Sequence, residues 1–362
     1  MAHNDAAYRR PIACSLHGSR ECASDVAGRR ASIDRAAGGD RPELLGLEGD
    51  VCAFELPRGA FPITVESPTG RMMAIAPGDA FLATPGYRES KWWAVGSIPA
   101  GGLVPGSDYW VLADSGVVGE LIGGSPLDEG YLGRVRYLGV VYGNRGERLN
   151  IRQFAVTGSA GTDRNAPLYL ILGTSGNVGK TTAGIAVLRA LRMKGYSTVI
   201  ALKATGTSSL AEIARYQDFG AAHVFDCIDF GLPATYPSHR SEFGDIFANA
   251  LEFCLSLPAA ALVVECGGDL FGAGVPEFLA CLKARRSNFK IILATADTLG
   301  ALGAKHALAE IGLAINLIAG PCTDTPILRE RTEELCSIPA INLFRGPDQR
   351  TQSNLSGVAV SE

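Results

Sequence analysis

The chain has 362 residues, more than one ordinary domain holds, and the length points to two. Hydrophobic residues make up 47%, which supplies sizeable cores and excludes global disorder. Lys+Arg 33 against Asp+Glu 37 leaves a net charge of −4, so a broad nucleic-acid-binding surface is not expected, and no apolar run reaches the roughly 18 residues that cross a bilayer. The nine cysteines include no C-x-x-C pair and read as neither a disulfide framework nor a zinc module, which fits a reducing cytoplasm. Arg9–Arg10 is not followed by an apolar stretch, so no secretory or twin-arginine signal is expected.

Composition divides the chain into zones. Residues 1–45 are rich in Ala, Arg, Asp and Gly without periodicity and read as a flexible extension. Residues 46–157 hold short apolar runs such as YWVLAD (109–114) and VRYLGVVYG (135–143), separated by Gly, Pro, Asp and Ser. They predict a β-rich domain, a small barrel or sandwich of hairpins. The small polar segment 158–166 marks the boundary. Residues 167–346 form the second domain, and 347–362 a C-terminal tail.

From residue 167 apolar runs alternate with helical stretches. The strands expected are LYLILG (168–173), STVIALK (197–203), AALVVEC (260–266), KIILATA (290–296), LAINLIAG (313–320) and PAINLF (339–344). Helices are expected near 179–194, 208–219, 243–256, 274–285, 301–311 and 326–335. Continuous apolar strands with helical crossovers predict an α/β fold with a mostly parallel sheet, whose ligands bind at the carboxyl ends of the strands.

The first strand runs into GTSGNVGKTT (173–182) and then into a helix, the context that a phosphate-binding loop requires. Gly173, Thr174, Ser175, Gly176, Asn177, Val178, Gly179, Lys180, Thr181 and Thr182 are the expected nucleotide contacts. Glycines let the backbone turn its N–H groups toward phosphate oxygens, and the helix N-terminus adds a favourable dipole. Lys180 would reach the β- and γ-phosphates and the Thr181 hydroxyl would hold Mg²⁺. The competing reading is a glycine-rich turn with a chance Gly-Lys-Thr.

The pattern G-T-x-x-x-V-G-K-T resembles the loop of the dethiobiotin synthetase and cobyrinic/cobyric acid synthase family of P-loop proteins. The resemblance continues at Lys203 in ALKATGTSS, at VVECGGDLFG (263–272) and at ILATADTLGALGAKHALAEIG, in the family's order. It does not cover the β-rich half. It implies that Lys203 neutralises a transferred phosphoryl group and that Glu265 helps to hold Mg²⁺. It also implies an acidic Mg²⁺ ligand beyond Lys203; Asp218, fifteen residues on, is preferred, with Glu212 as competitor. The competing reading of Lys203 is a surface lysine, and that of Glu265 a capping or solvated acid. The departures are Ser175 in place of an acidic residue and VECGGD in place of the family's Val-Glu-Gly-Ala-Gly-Gly.

The irregular stretch 226–240 offers Asp229, Thr235, Tyr236, His239 and Arg240 as substrate contacts, or a structural excursion. The residues after the fifth strand (321–324) are not Asn-Lys-x-Asp, so guanine specificity has no support and ATP is the default. The expected activity is an ATP- and Mg²⁺-dependent ligase or synthetase that activates a carboxylate or carbamate of a small metabolite. Lys180, Lys203 and Glu265 are its catalytic residues, Thr181, Asp218 and Glu265 its metal ligands, and a homodimer its assembly by analogy. The alternatives are a small-molecule kinase, a CoA-dependent acyltransferase like the P-loop proteins associated with D-glutamate N-acetylation, and a nucleotide-dependent regulatory NTPase.

Overall fold

The computed structural model describes residues 45–67, 70–90, 94–124, 133–143, 146–158, 166–237 and 239–343. The expected C-terminal tail, and all but the last residue of the expected N-terminal extension, lie outside them. The chain divides into two units. The first is residues 1–156 with 207–211 and 227–234; the second is 157–206, 212–226 and 235–362.

The first unit is a small antiparallel barrel. Its strands are β1 Cys52–Glu55, β2 Ile63–Glu66, β3 Met72–Ile75, β4 Ala80–Pro85, β5 Ala94–Ser97, β6 Asp108–Ala113, β7 Val117–Gly124 and β8 Arg134–Val140. The order β4-β1-β8-β6-β7 closes through a short parallel pairing of β4 with β7, at Thr84↔Val117 and Pro85↔Val118. β5 extends from β7, and β2 and β3 form a separate ribbon. Strand side chains point alternately in and out, so in β8 Val135 and Tyr137 are buried while Arg134 and Arg136 are exposed. A barrel this narrow is filled by its own side chains. Phe54, Phe81 and Tyr137 do this, with Phe54 5.4 Å from Tyr137 and 6.1 Å from Phe81 between ring centroids. Of the two expected forms, the barrel is the one observed.

The second unit is a six-stranded parallel sheet. Its strands are β9 Leu168–Gly173, β10 Val199–Thr205, β11 His223–Asp226, β12 Ala261–Cys266, β13 Lys290–Ala294 and β14 Leu317–Ala319, in the order β11-β10-β12-β9-β13-β14. Its helices are α1 Lys180–Met193, α2 Leu210–Asp218 from Glu212 onward (Leu210 and Ala211 belong to the first unit), α3 Phe243–Ser256, α4 Val275–Arg285, α5 Thr298–Glu310 and α6 Pro326–Cys336. β9, β10 and β12 are buried along their whole length, as central strands covered on both faces must be.

Two expectations are corrected here. The sixth strand is β11 at the sheet edge, where no strand is expected from the sequence; only its last residue, Asp226, falls in the stretch 226–240 expected to be irregular. The expected strand 339–344 contributes only a parallel bridge from Ala340 to Ile318. β11 has four residues and ends in a buried aspartate, which gives it a weak apolar signature. Because β12 inserts between β9 and β10, the carboxyl ends of β9, β12 and β10 become neighbours, and Thr181, at the start of the helix that follows the loop, reaches Glu265 there.

Among the described residues, Cys52, Cys227, Cys254, Cys266, Cys281, Cys322 and Cys336 are buried free thiols. Also among them, no helix is long and apolar enough to cross a membrane.

Candidate functional site

The loop leaves β9 at Gly173 and enters α1 at Lys180. Gly179 sits at φ 90°, which turns the chain into the helix by a route that disfavours any side chain. Gly173 is required for space, because a Cβ there would lie 2.7 Å from Lys180 Cδ. Thr174 is tied to the next strand: its N–H donates to Ala294 O and its hydroxyl to Thr295 Oγ1, at 3.1 Å each. Val178 is buried, while Gly176 and Asn177 are exposed at the loop's tip. From Gly176 to Thr182 the backbone N–H groups have no acceptor among the described residues. A loop that offers these groups to phosphate oxygens has this form.

Lys180 is buried and curls back over the loop. Its Nζ donates to Ser175 O at 2.8 Å and to Gly268 O at 2.9 Å. Burial lowers its pKa below the ordinary 10.5; the Glu265 carboxylate opposes this and the charge on Lys203 adds to it. One helical position on, Thr181 Oγ1 donates to Glu265 Oε1 at 3.1 Å. The opposite carboxylate oxygen, Oε2, accepts from the Tyr216 hydroxyl at 2.7 Å. Burial and then the Glu265 charge raise the phenol pKa well above 10.0, so it remains a donor.

Lys203 is buried at the end of β10, in register with Asp226 of β11 on one side and Glu265 of β12 on the other. Residues in register share a face of the sheet. Lys203 also forms an ion pair with Glu212 in the first turn of α2. Burial alone would lower the lysine pKa, but Glu212, Asp226 and Glu265 together outweigh it and raise the value above 10.5. The surface-lysine reading is therefore excluded.

Asp218 is not part of this cluster. It is exposed at the carboxyl end of α2, six residues or about 9 Å of helix rise beyond Glu212. The reason is direction: α2 follows β10, so its N-terminus lies near the carboxyl edge of the sheet and its C-terminus points away. Glu212 is the carboxylate brought to Lys203.

Backbone forms another wall in the second unit. Thr205 Oγ1 donates to Gly267 O at 2.9 Å, and a Cβ on Gly267 would lie 2.5 Å from Thr205 O. Thr235 Oγ1 accepts from Gly206 N at 2.7 Å and donates to Ala273 O. Asp269 is a turn residue, its Oδ1 accepting from Phe271 N and Gly272 N. Asp297 caps α5 through Gly300 N.

Of the stretch 226–240, Tyr236 is buried and precedes a cis proline. His239 pairs with Glu277 while its ring stays exposed, and Arg240 binds Glu242 and lies 5.2 Å over the Phe243 ring. In the first unit, Asp229 is 1% exposed, in the 3-10 turn Cys227–Phe230.

Sequence reasoning missed Tyr216 and Gly184. Tyr216 reads as a core aromatic on an amphipathic helix, and Gly184 as an ordinary small residue inside α1. The i, i+4 spacing of Glu212 and Tyr216 is the signal that places both on one helix face.

Loop, sheet and helix make this a P-loop nucleotide-binding fold. No protein-family model matches the chain, and no curated protein does. Solved structures similar to it include chloroplast FtsY from Physcomitrella patens, at 14% identity and TM-score 0.36 over 57% of this chain and 70% of that one. FtsY from Mycoplasma mycoides is 13% identical, with TM-score 0.37 over 55% of this chain and 70% of that one. Signal Recognition Particle 54 kDa protein from Aeropyrum pernix K1, in complex with GDP, is 16% identical, with TM-score 0.37 over 55% of this chain. The match spans 49% of that protein's length. No family follows from likeness at this level.

Proposed function

We propose that the chain is an ATP- and Mg²⁺-dependent ligase or synthetase that activates a carboxylate or carbamate of a small metabolite by phosphoryl transfer. The observation that carries this reading is the position of Lys203. It is a second buried cation, in register with Glu265, and Glu265 in turn meets Thr181 at the start of α1. A plain nucleotide switch needs the loop lysine; a phosphoryl-transfer site gains from a second cation where charge accumulates.

Thr181 Oγ1 and Glu265 Oε1 fit a magnesium site. Both are hard oxygen donors, and Mg²⁺ characteristically takes one or two protein ligands and completes its octahedron with phosphate oxygens and waters. Bound there, the ion would neutralise charge on the β- and γ-phosphates. The protein's own groups do the rest. The N–H groups of Gly176 to Thr182 bind phosphate oxygens. Lys180 exchanges its carbonyl partners Ser175 O and Gly268 O for phosphate. The substrate carboxylate attacks the γ-phosphorus, the bond to the β–γ bridging oxygen breaks, and ADP leaves. An amine then attacks the acyl carbon and phosphate departs with its bonding pair, the amine proton going to solvent. Lys203, protonated across the neutral range, opposes the charge on the transferred group. A homodimer is the assembly expected by analogy, and light scattering would read it.

The test is calorimetric titration with ATP, GTP and acetyl-CoA, with and without Mg²⁺, on the wild type and Lys180→Ala. Assays of ADP release over panels of acids and amines follow, with hydroxylamine present to trap acyl phosphate. Mg²⁺-dependent ATP binding that Lys180→Ala abolishes, together with hydroxamate formation, supports the proposal. Acetyl-CoA binding without ATP binding replaces it with an acyltransferase. A stable phosphate ester makes it a kinase, and steady hydrolysis without any metabolite a regulatory NTPase.

A further inference from the structure

Two residues one turn apart on α2 hold the two neighbours at the carboxyl ends of β10 and β12. Glu212 pairs with Lys203, and Tyr216 donates to Glu265. Tyr216 is 1% exposed, and its path to Glu265 passes α1 at Gly184. A Cβ on Gly184 would overlap the Tyr216 hydroxyl and come within 2.8 Å of Cζ. A glycine inside a helix is less stable than an alanine there, and here it provides the notch through which the phenol reaches the carboxylate. Glu265 therefore has its two oxygens in different service: Oε2 is held at 2.7 Å by Tyr216, and Oε1 is turned to Thr181 at 3.1 Å.

We infer that Tyr216 is a positioning residue for the cation site, fixing the Glu265 carboxylate so that Oε1 faces the Mg²⁺ position beside Thr181, with Gly184 as the space that permits it. The inference rests on the reading of Thr181 and Glu265 as the magnesium site given above. A hydrogen bond to one carboxylate oxygen disfavours rotation of the other away from a cation, and partners of this kind tune metal affinity without touching the metal.

The test measures ADP binding to the full chain by calorimetry over a range of Mg²⁺ concentrations, alongside thermal melting. In the wild type, Mg²⁺ is expected to tighten ADP binding. Tyr216→Phe keeps the ring and loses the donor. It is expected to bind ADP as the wild type does without Mg²⁺, and to need roughly 10–100-fold more Mg²⁺ for half of the tightening. Gly184→Ala displaces the phenol without removing it and is expected to behave likewise, and it decides the matter if Tyr216→Phe does not fold. Leu191→Ala, a core truncation in the same helix, should lower the melting temperature and leave the Mg²⁺ requirement in place. A wild-type Mg²⁺ requirement in folded Tyr216→Phe or Gly184→Ala overturns the inference and leaves the proposed function standing. Equal weakening of ADP binding with and without Mg²⁺ also overturns it, since that is a general structural effect. Wild-type ADP binding that ignores Mg²⁺ sinks both this inference and the proposed function.

Discussion

Lys203 and Glu265 stand in register on adjacent parallel strands, and Asp226 flanks Lys203 from the strand on its other side. The row is buried, with Asp226 1% and Glu265 5% exposed, and the Lys203 charge offsets part of the cost of burying both carboxylates. Removing one charge from a buried, paired cluster typically costs about 3–5 kcal/mol. Lys203→Ala is therefore expected to lose stability of that order, measured by urea unfolding. Lys180→Ala should lose much less, because Lys180 carries a desolvation penalty and its two bonds go to backbone carbonyls. Equal losses in the two variants would contradict the buried row.

The same row predicts alkaline behaviour. The folded protein holds the Lys203 proton more tightly than the unfolded chain, in which a lysine titrates near 10.5. The stabilisation is then fully present below pH 10.5 and drains away as pH climbs toward the raised folded value. Urea midpoints should be insensitive to this group at neutral pH and should fall above pH 10.5. In a Lys203→Gln background that part of the fall should be missing. An unchanged alkaline fall in the variant would place the titration elsewhere.

Much of the site was legible because its parts end strongly patterned segments. The loop 173–182 lies between an apolar strand and a helix, and Lys203 and Glu265 each close a run of apolar residues at the edge where such folds bind ligands. What stayed hidden depends on approach in space. β11 is too short to carry a strand pattern, and its Asp226 reads as the start of a loop. Tyr216 looks like core until Gly184 is seen to open a way for its hydroxyl. Asp218 against Glu212 was decidable in principle, since a helix that follows a parallel strand begins at the carboxyl edge and its first turn stays there. Spacing from Lys203 alone does not carry that direction.

Cys322 follows the last strand of the sheet. It is 1% exposed, and burial pushes its thiol up to about 12, with the neighbouring Cys336, Asp297 and Asp324 adding to the rise. The thiolate is the reactive species, so at neutral pH the native protein should leave this site unlabelled. Iodoacetamide labelling followed by peptide mass spectrometry should show modification of Cys322 only in denaturant. Native labelling at a rate comparable to free cysteine would mean that this end of the sheet opens readily.

Glu66 of the barrel unit makes a sharper test of how the first turn of α2 is held. Its carboxylate is 2% exposed and accepts from the Ser209 hydroxyl at 2.7 Å, from Leu210 N at 2.9 Å and from Ala211 N at 3.1 Å. All four residues belong to the same unit. The first N–H groups of a helix have no partner within it, and here a side chain distant in sequence supplies the acceptor and a negative charge at the favourable end of the dipole. Losing a cap costs about 0.5–2 kcal/mol, and a buried donor left without an acceptor costs about 1–3 kcal/mol. Glu66→Ala should therefore lose about 1–3 kcal/mol in equilibrium unfolding. Glu66→Gln keeps one acceptor oxygen but gives up the charge, and should fall between it and the wild type. Amide exchange at Leu210 and Ala211 should quicken in the same order. If both variants unfold at the wild-type midpoint with unchanged exchange, α2 is capped by something other than Glu66.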